Sequence, residues 1–234
     1  MKPTTLFLSC EHAVDTIPAD YQHLFKGHQS ILSTHRAIDF GASEIATHLK
    51  KALACAYQSA TISRLLIDCN RSLTHKDCFS EFTNPLSSEE KKHLIDQYYL
   101  PYRNRSENII NDSINAGHQV LHLSIHSFTP VFNGMERNAG IGLLYDPKRH
   151  GEKEVARELQ RLLSLETPAY RVRMNYPYSG SSDGFTTALR KKHPEVDYLG
   201  LEIEVNQSLA KNKNTRDPIA SLLAHSIKEL LLIL

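Results

Sequence analysis

The chain has 234 residues, with 27 Lys plus Arg against 26 Asp plus Glu and a formal net charge of +1, so it carries no field strong enough to hold nucleic acid or an anionic membrane. That length suffices for a single domain, expected over residues 1–234, which buries about three quarters of its unfolded surface without disulfide staples. Four cysteines without C-x-x-C spacing, no basic leader and no apolar run of membrane-spanning length predict a cytoplasmic protein with free thiols.

Thr4 to Ser9 is a short apolar run ending in Cys10, Glu11 and His12, which predicts a buried strand entering a functional loop. From Phe40 to Tyr57 the residues Ile45, Ala46, Leu49, Ala52 and Leu53 recur at helical spacing, with Asp39 at the N-terminus. Ala60 to Ile67 reads as the next strand, completing a strand, helix, strand unit. Leu73 to Leu86 is polar and aperiodic, a long excursion of the kind that covers sites. Ser87 and Glu90 have capping-box spacing and open a helical stretch to about Asn115, restarted near Pro101 and stopped by Gly117. Strands follow at Val120 to Ile125 and Gly140 to Tyr145, then an amphipathic helix at Glu152 to Leu165. A short strand at Tyr170 to Met174, a helix at Phe185 to Lys192, a strand at Tyr198 to Val205 and a last helix begun by Asp217 and Pro218 complete the pattern. It predicts an α/β fold with a mixed, mostly parallel sheet.

The tetrad Asp68, Cys69, Asn70, Arg71 follows Arg64, so two guanidinium groups are seven residues apart around one expected strand end. A guanidinium fork beside an amide suits a small carboxylate. The plainer alternative is a loop ion pair between Asp68 and Arg71. His12 and His126 each follow a strand, where two imidazoles can converge on one metal. Glu11, Asp15 and Asp39 are the candidates for a third, carboxylate ligand. Glu202 and Glu204 share one face of their strand and are costly there unless they meet water, a cation or a metal. One of them is then the general base; the alternative is an edge strand with a solvated face. The stretch from Asn175 to Gly180, with Asp183 and Gly184, is rich in turn formers and hydroxyls suited to a polar pocket.

Taken together these pieces resemble the N-formylglutamate amidohydrolase family. The matching residues, in order, are Ser9-Cys10-Glu11-His12-Ala13 with Ile17-Pro18, Asp39-Phe40-Gly41-Ala42, Ser63 to Arg71, Ile125 to Pro130, Ile141 to Asp146, Asn175 to Gly180 with Asp183-Gly184, and Glu204-Val205-Asn206-Gln207. The resemblance implies a zinc carboxypeptidase-like, three-layer α/β/α sandwich with one Zn2+ per chain. It further implies His12, Asp39 and His126 as metal ligands, Glu204 as the base, Arg64 as oxyanion stabiliser or second anion contact, and Asn70, Arg71, Ser127 and Tyr178 as substrate contacts. The implied activity removes an N-formyl or other N-acyl group from a small acidic amino acid such as N-formylglutamate. Val205-Asn206 and Tyr176 depart from the family's usual residues. A related metal-dependent deacylase or carboxypeptidase, and a metal-free module binding small anions, are the two alternatives. No oligomeric state follows from the sequence.

Overall fold

The computed structural model describes residues 2–166 and 170–234. It opens with β1 (Thr4–Cys10), two short 3-10 helices, α1 (Ala42–Leu53) and β2 (Ala56–Ser59). A helical stretch follows as α2 (Ser88–Leu94), a π-helical turn at Ile95–Tyr99 and α3 (Leu100–Asn115). Then come β3 (Gln119–Phe128), the hairpin β4 (Val131–Phe132) and β5 (Met135–Glu136), β6 (Ile141–Leu144) and α4 (His150–Glu166). The chain continues through β7 (Val172–Met174), α5 (Phe185–Lys192), β8 (Tyr198–Asn206), α6 (Gln207–Ala210) and α7 (Lys213–Leu231).

Six strands form one sheet in the order β2-β1-β3-β8-β6-β7. β2, β1, β3 and β8 run parallel, and β6 reverses against β8 with β7 parallel to it, so the sheet is mixed and mostly parallel, with helices on both faces. The two faces differ in chemistry. Leu6 and Leu8, Leu121, Leu123 and Ile125, and Leu199, Leu201 and Ile203 alternate onto one face and pack against α1, α4 and α7. Each such side chain contributes roughly 1.5–3 kcal/mol on burial. The opposite face begins apolar, with Val120 and Tyr198 packed against Tyr102 of α3 and Phe185 of α5. It becomes polar toward the C-terminal strand ends through the register rows Ser9, Ser124, Glu202 and then His126, Glu204.

His122 lies between those two zones. Its ring nitrogens bond Ser9 Oγ and Tyr198 OH, each at 2.7 Å, and burial pushes its pKa down to about 4.

Several expected boundaries move. The strand expected at Ala60 to Ile67 pairs instead at Ala56–Ser59. Leu65, Leu66 and Ile67 form buried irregular chain, packed with Tyr21, Phe25, Leu94 and Tyr99 in a separate apolar cluster. A buried loop run and a buried strand share one hydropathy pattern, so periodicity does not separate them. The tetrad therefore sits in a loop rather than at a strand end. α1 stops at Leu53 because Ala54 turns left-handed, with φ of 49°. The capping box of Ser87 and Glu90 forms, and the helix widens to a π turn just before Pro101, whose missing N–H breaks the regular ladder. The last helix starts before Asp217, at Lys213, because Asn212 caps it through the Asn214 N–H and leaves Pro218 inside.

Candidate metal centre and pocket

Because β1, β3 and β8 are parallel, their C-terminal ends lie side by side and bring His12, His126 and Glu204 to one crevice. His126 and Glu204 are register partners. Asp39 enters from the loop before α1, where its N–H bonds the His12 carbonyl at 3.1 Å. Its Oδ2 lies 3.3 Å from His12 Nδ1 and 2.9 Å from His126 Nδ1. These three buried residues offer ligand atoms all within 4.8 Å of one another. A tetrahedral zinc spaces its ligand atoms about 3.4 Å apart, so small adjustments close the cluster on an ion.

The remaining ring nitrogens show that the cluster suits a cation. His12 Nε2 is 2.9 Å from Asp68 Oδ1, and His126 Nε2 is 3.1 Å from Glu11 Oε2, both carboxylates being buried. Glu11 is itself held by Tyr102 OH at 2.6 Å and by the Ser124 hydroxyl. With each Nε2–H aimed at a carboxylate, each Nδ1 faces Asp39, the arrangement that orients imidazole ligands in metal sites. Asp39 Oδ2 and a lone pair on His126 Nδ1 repel at 2.9 Å unless positive charge lies between them. Burial opposes charge on His126, yet Asp39 and Glu11 on either side raise its pKa well above the usual imidazole range. Three buried carboxylates thus surround two imidazoles, and Arg64 supplies the guanidinium against them. Arg64 bonds Asp39 Oδ1 through Nη2 and reaches His12 Nδ1 at 3.0 Å through Nη1. It is anchored by the backbone carbonyls of His35 and Arg36 at 2.7 and 3.1 Å.

The cluster forms one wall of a cavity of about 250 Å³, near the lower end of ligand pockets and suited to an amino-acid-sized molecule. Asn70, Arg71, Ser127 and Tyr178 also line it, as do Glu202 and Glu204. Asn70 Oδ1 accepts the Phe185 N–H at 2.8 Å, which leaves its Nδ2 hydrogens for a ligand. Asp68 turns to His12 and Arg71 donates to the Asp183 carbonyl at 2.5 Å, so these two do not form the loop ion pair considered from sequence. Ser127 Oγ accepts from Gln207 Nε2 at 3.3 Å, and Tyr178 stands at the mouth, 46% exposed.

Glu204 is 5% exposed, and its Oε2 has no hydrogen-bond partner. Burial lifts its carboxyl to about 7, and the neighbouring Asp39 and Glu202 add to the rise. A carboxyl that titrates near neutrality beside a metal cluster is poised for proton transfer.

The loop carrying Tyr178 and Asp183 is held by close backbone approach. A Cβ on Gly142 would lie 1.8 Å from the Tyr176 carbonyl oxygen, and one on Gly180 would lie 2.2 Å from the Tyr145 nitrogen. Asn175 Oδ1 fastens the same loop by accepting from Tyr145 N–H at 3.1 Å and Gly180 N–H at 3.0 Å.

All nine residues singled out for chemistry, from His12 to Glu204, border this one cavity. Of the alternative ligands, Asp15 is exposed and lies outside the cluster, and Glu11 sits behind His126. Sequence reasoning assigned no part to Asp68 beyond the tetrad, to Tyr102 or to Ser124. The signal for Ser124 was the strict alternation His122, Ser124, His126, which places it on the ligand's face. Nothing in the sequence pairs Tyr102 on α3 with Glu11.

The model of the family described as N-formylglutamate amidohydrolase matches residues 4–210. No curated protein matches the chain. Among solved structures, gene product Atu2144 from Agrobacterium tumefaciens is 30% identical, with a TM-score of 0.82 over 97% of this chain and 90% of its own. An N-formylglutamate amidohydrolase from Ralstonia eutropha JMP134 is 18% identical, with a TM-score of 0.72 over 99% of this chain and 93% of its own, a likeness of fold.

Proposed function

The chain belongs to the N-formylglutamate amidohydrolase family, and from that membership we propose that it is a zinc enzyme releasing formate from N-formyl amino acids held by their α-carboxylate. Family and ligand cluster together make it a metal-dependent hydrolase of the deformylase type. Within that class, zinc suits a set of two imidazoles and one carboxylate that leaves a position open. Bound there, the ion supplies Lewis acidity toward the formyl oxygen and acidifies a water.

The roles of the protein groups follow from their places. Glu204, which lines the cavity and holds a buried oxygen without a hydrogen-bond partner, takes the proton of the attacking water and returns it to the leaving amine. Arg64, against Asp39 and His12, stabilises negative charge on the formyl oxygen as water adds. Asn70 Nδ2 and Arg71 grip the α-carboxylate, and Ser127 and Tyr178 complete the walls.

The observation that carries this reading is the buried Glu204 carboxylate, its Oε2 unpartnered, in register with His126 and bordering the same cavity as the triad. The experiment is formate release from N-formyl amino acids, N-formylglutamate among them, with and without a chelator. N-acetyl and N-succinyl counterparts are run beside them. Metal-dependent release from the formyl series is expected; hydrolysis confined to acetyl or succinyl substrates, or none at all, overturns the assignment.

A further inference from the structure

The reaction above has no use for two carboxylates of the cavity: Asp183, whose Oδ2 accepts the Ser72 N–H at 2.9 Å, and Glu202. Glu202 precedes Glu204 by two residues on the same strand face, so it lies one row deeper, roughly 6–7 Å along β8. Thr186, fully buried on α5, donates to its Oε1 at 2.7 Å and fixes the carboxylate. Among the described residues, Oε2 takes no hydrogen bond, and Glu202 lines the cavity with part of its surface open.

Glu202 also adjoins the α-carboxylate grip. A Cβ on Gly184 would lie 3.4 Å from Asn70 Oδ1 and 3.5 Å from Glu202 Oε1, so the two side chains border the same spot. An amino acid with its carboxylate at Asn70 and Arg71 and its formyl nitrogen at the His126 and Glu204 row can direct its side chain toward the deeper row, which Glu202 borders. There is no free cation there. Arg64 is tied to Asp39 and two backbone carbonyls beside the ligand cluster, where the reaction above gives it to the formyl oxygen. Arg71 serves the α-carboxylate, and no further Lys or Arg lines the cavity among the described residues.

A second substrate carboxylate would therefore face Glu202 without a counter-charge, and like charges in a partly desolvated cavity repel strongly. A donor at that point instead completes the free oxygen of Glu202, and a site built to pair with a donor rejects the analogue lacking one. We infer that Glu202 sets the side-chain specificity. The chain takes N-formyl amino acids whose side chain ends in an amide or a cation in preference to those ending in a carboxylate. This rests on the hydrolase reading and deepens it.

The test compares kcat/KM of the metal-loaded protein for N-formyl-L-glutamine, N-formyl-L-arginine and N-formyl-L-glutamate. The first two are expected at least tenfold above the third. Glu202→Gln keeps an acceptor for Thr186 and adds a donor, so it should shift the arginine-to-glutamate ratio at least tenfold toward glutamate. A wild-type preference for the glutamate compound, or wild-type ratios in Glu202→Gln, overturns the inference. If no N-formyl amino acid is hydrolysed, the hydrolase reading is what fails. Calorimetric binding of free glutamine, arginine and glutamate then decides the specificity: tighter glutamate binding overturns it, weaker binding supports it.

Discussion

Replacing Glu204 with Gln should move activity and stability in opposite directions. Loss of a positioned proton-transfer group typically lowers turnover by two to four decades. The stability effect follows from burial. An ordinary Glu ionises near 4.5, and Glu204 in the fold near 7. The unfolded chain therefore gives up this proton at lower pH than the folded one, so ionisation opposes folding. The penalty is absent below about 4.5, grows as pH rises and is complete above about 7. The difference of about 2.5 pH units corresponds to about 3 kcal/mol. Gln cannot ionise, so the variant escapes that loss. Its amide leaves donors unpaired at a cost of about 1–3 kcal/mol, but that cost is the same at every pH. Urea unfolding of chelator-treated protein at pH 4 and pH 8 isolates the effect. The stability of Glu204→Gln relative to wild type should rise by about 3 kcal/mol between the two conditions. Parallel pH dependence in the two proteins would refute the burial argument, and full turnover in the variant would remove Glu204 from the chemistry.

Asp68→Asn and Glu11→Gln keep an acceptor for the imidazole Nε2–H but lose its charge. Each should weaken zinc binding roughly 10- to 100-fold in competition with a chromophoric chelator, and wild-type affinity in both would show that the imidazoles orient without them. His122, held near 4, has the opposite linkage to Glu204: the unfolded chain takes up a proton near 6.5 that the fold refuses, so about 3 kcal/mol of stability present above 6.5 is lost as pH drops toward 4. His122→Gln should abolish that part of the slope in acid unfolding curves. Arg190 joins Glu152 of α4 to the carbonyls of Gly180 and Gly200 inside the core. Arg190→Ala strands a buried carboxylate and should cost about 3–5 kcal/mol, while Arg190→Met with Glu152→Met should recover most of the melting temperature.

Residue type and alternation made much of this legible in advance. The apolar triplets of β1, β3 and β8 specify one face by alternation, and alternation alone also puts Glu202 beside Glu204 and Ser124 beside His126. The loops were harder. Leu65 to Ile67 has the hydropathy of a strand but packs as irregular chain, because a second apolar cluster built from Tyr21, Phe25 and Tyr99 covers it. The partners of the imidazoles were hidden for a related reason. Asp68 and Tyr102 reach the centre from 56 residues and 91 residues away in the chain, from His12 and Glu11 respectively, and no local period encodes such a contact.

The sheet itself explains why the site lies where it does. The face that carries Val120 and Tyr198 at one end carries His126 and Glu204 at the other, three register steps on, while the opposite face stays apolar from Leu121 through Ile125. Ionisable groups on that face are tolerated because each has a specific partner: Ser9 and Tyr198 for His122, Ser124 and Tyr102 for Glu11, Thr186 for Glu202. Glu204 Oε2 breaks the pattern. Glu202 keeps one oxygen bonded to Thr186, whereas Glu204 holds a buried oxygen with no donor beside the imidazoles, the group to which the proposed mechanism gives the proton of the attacking water.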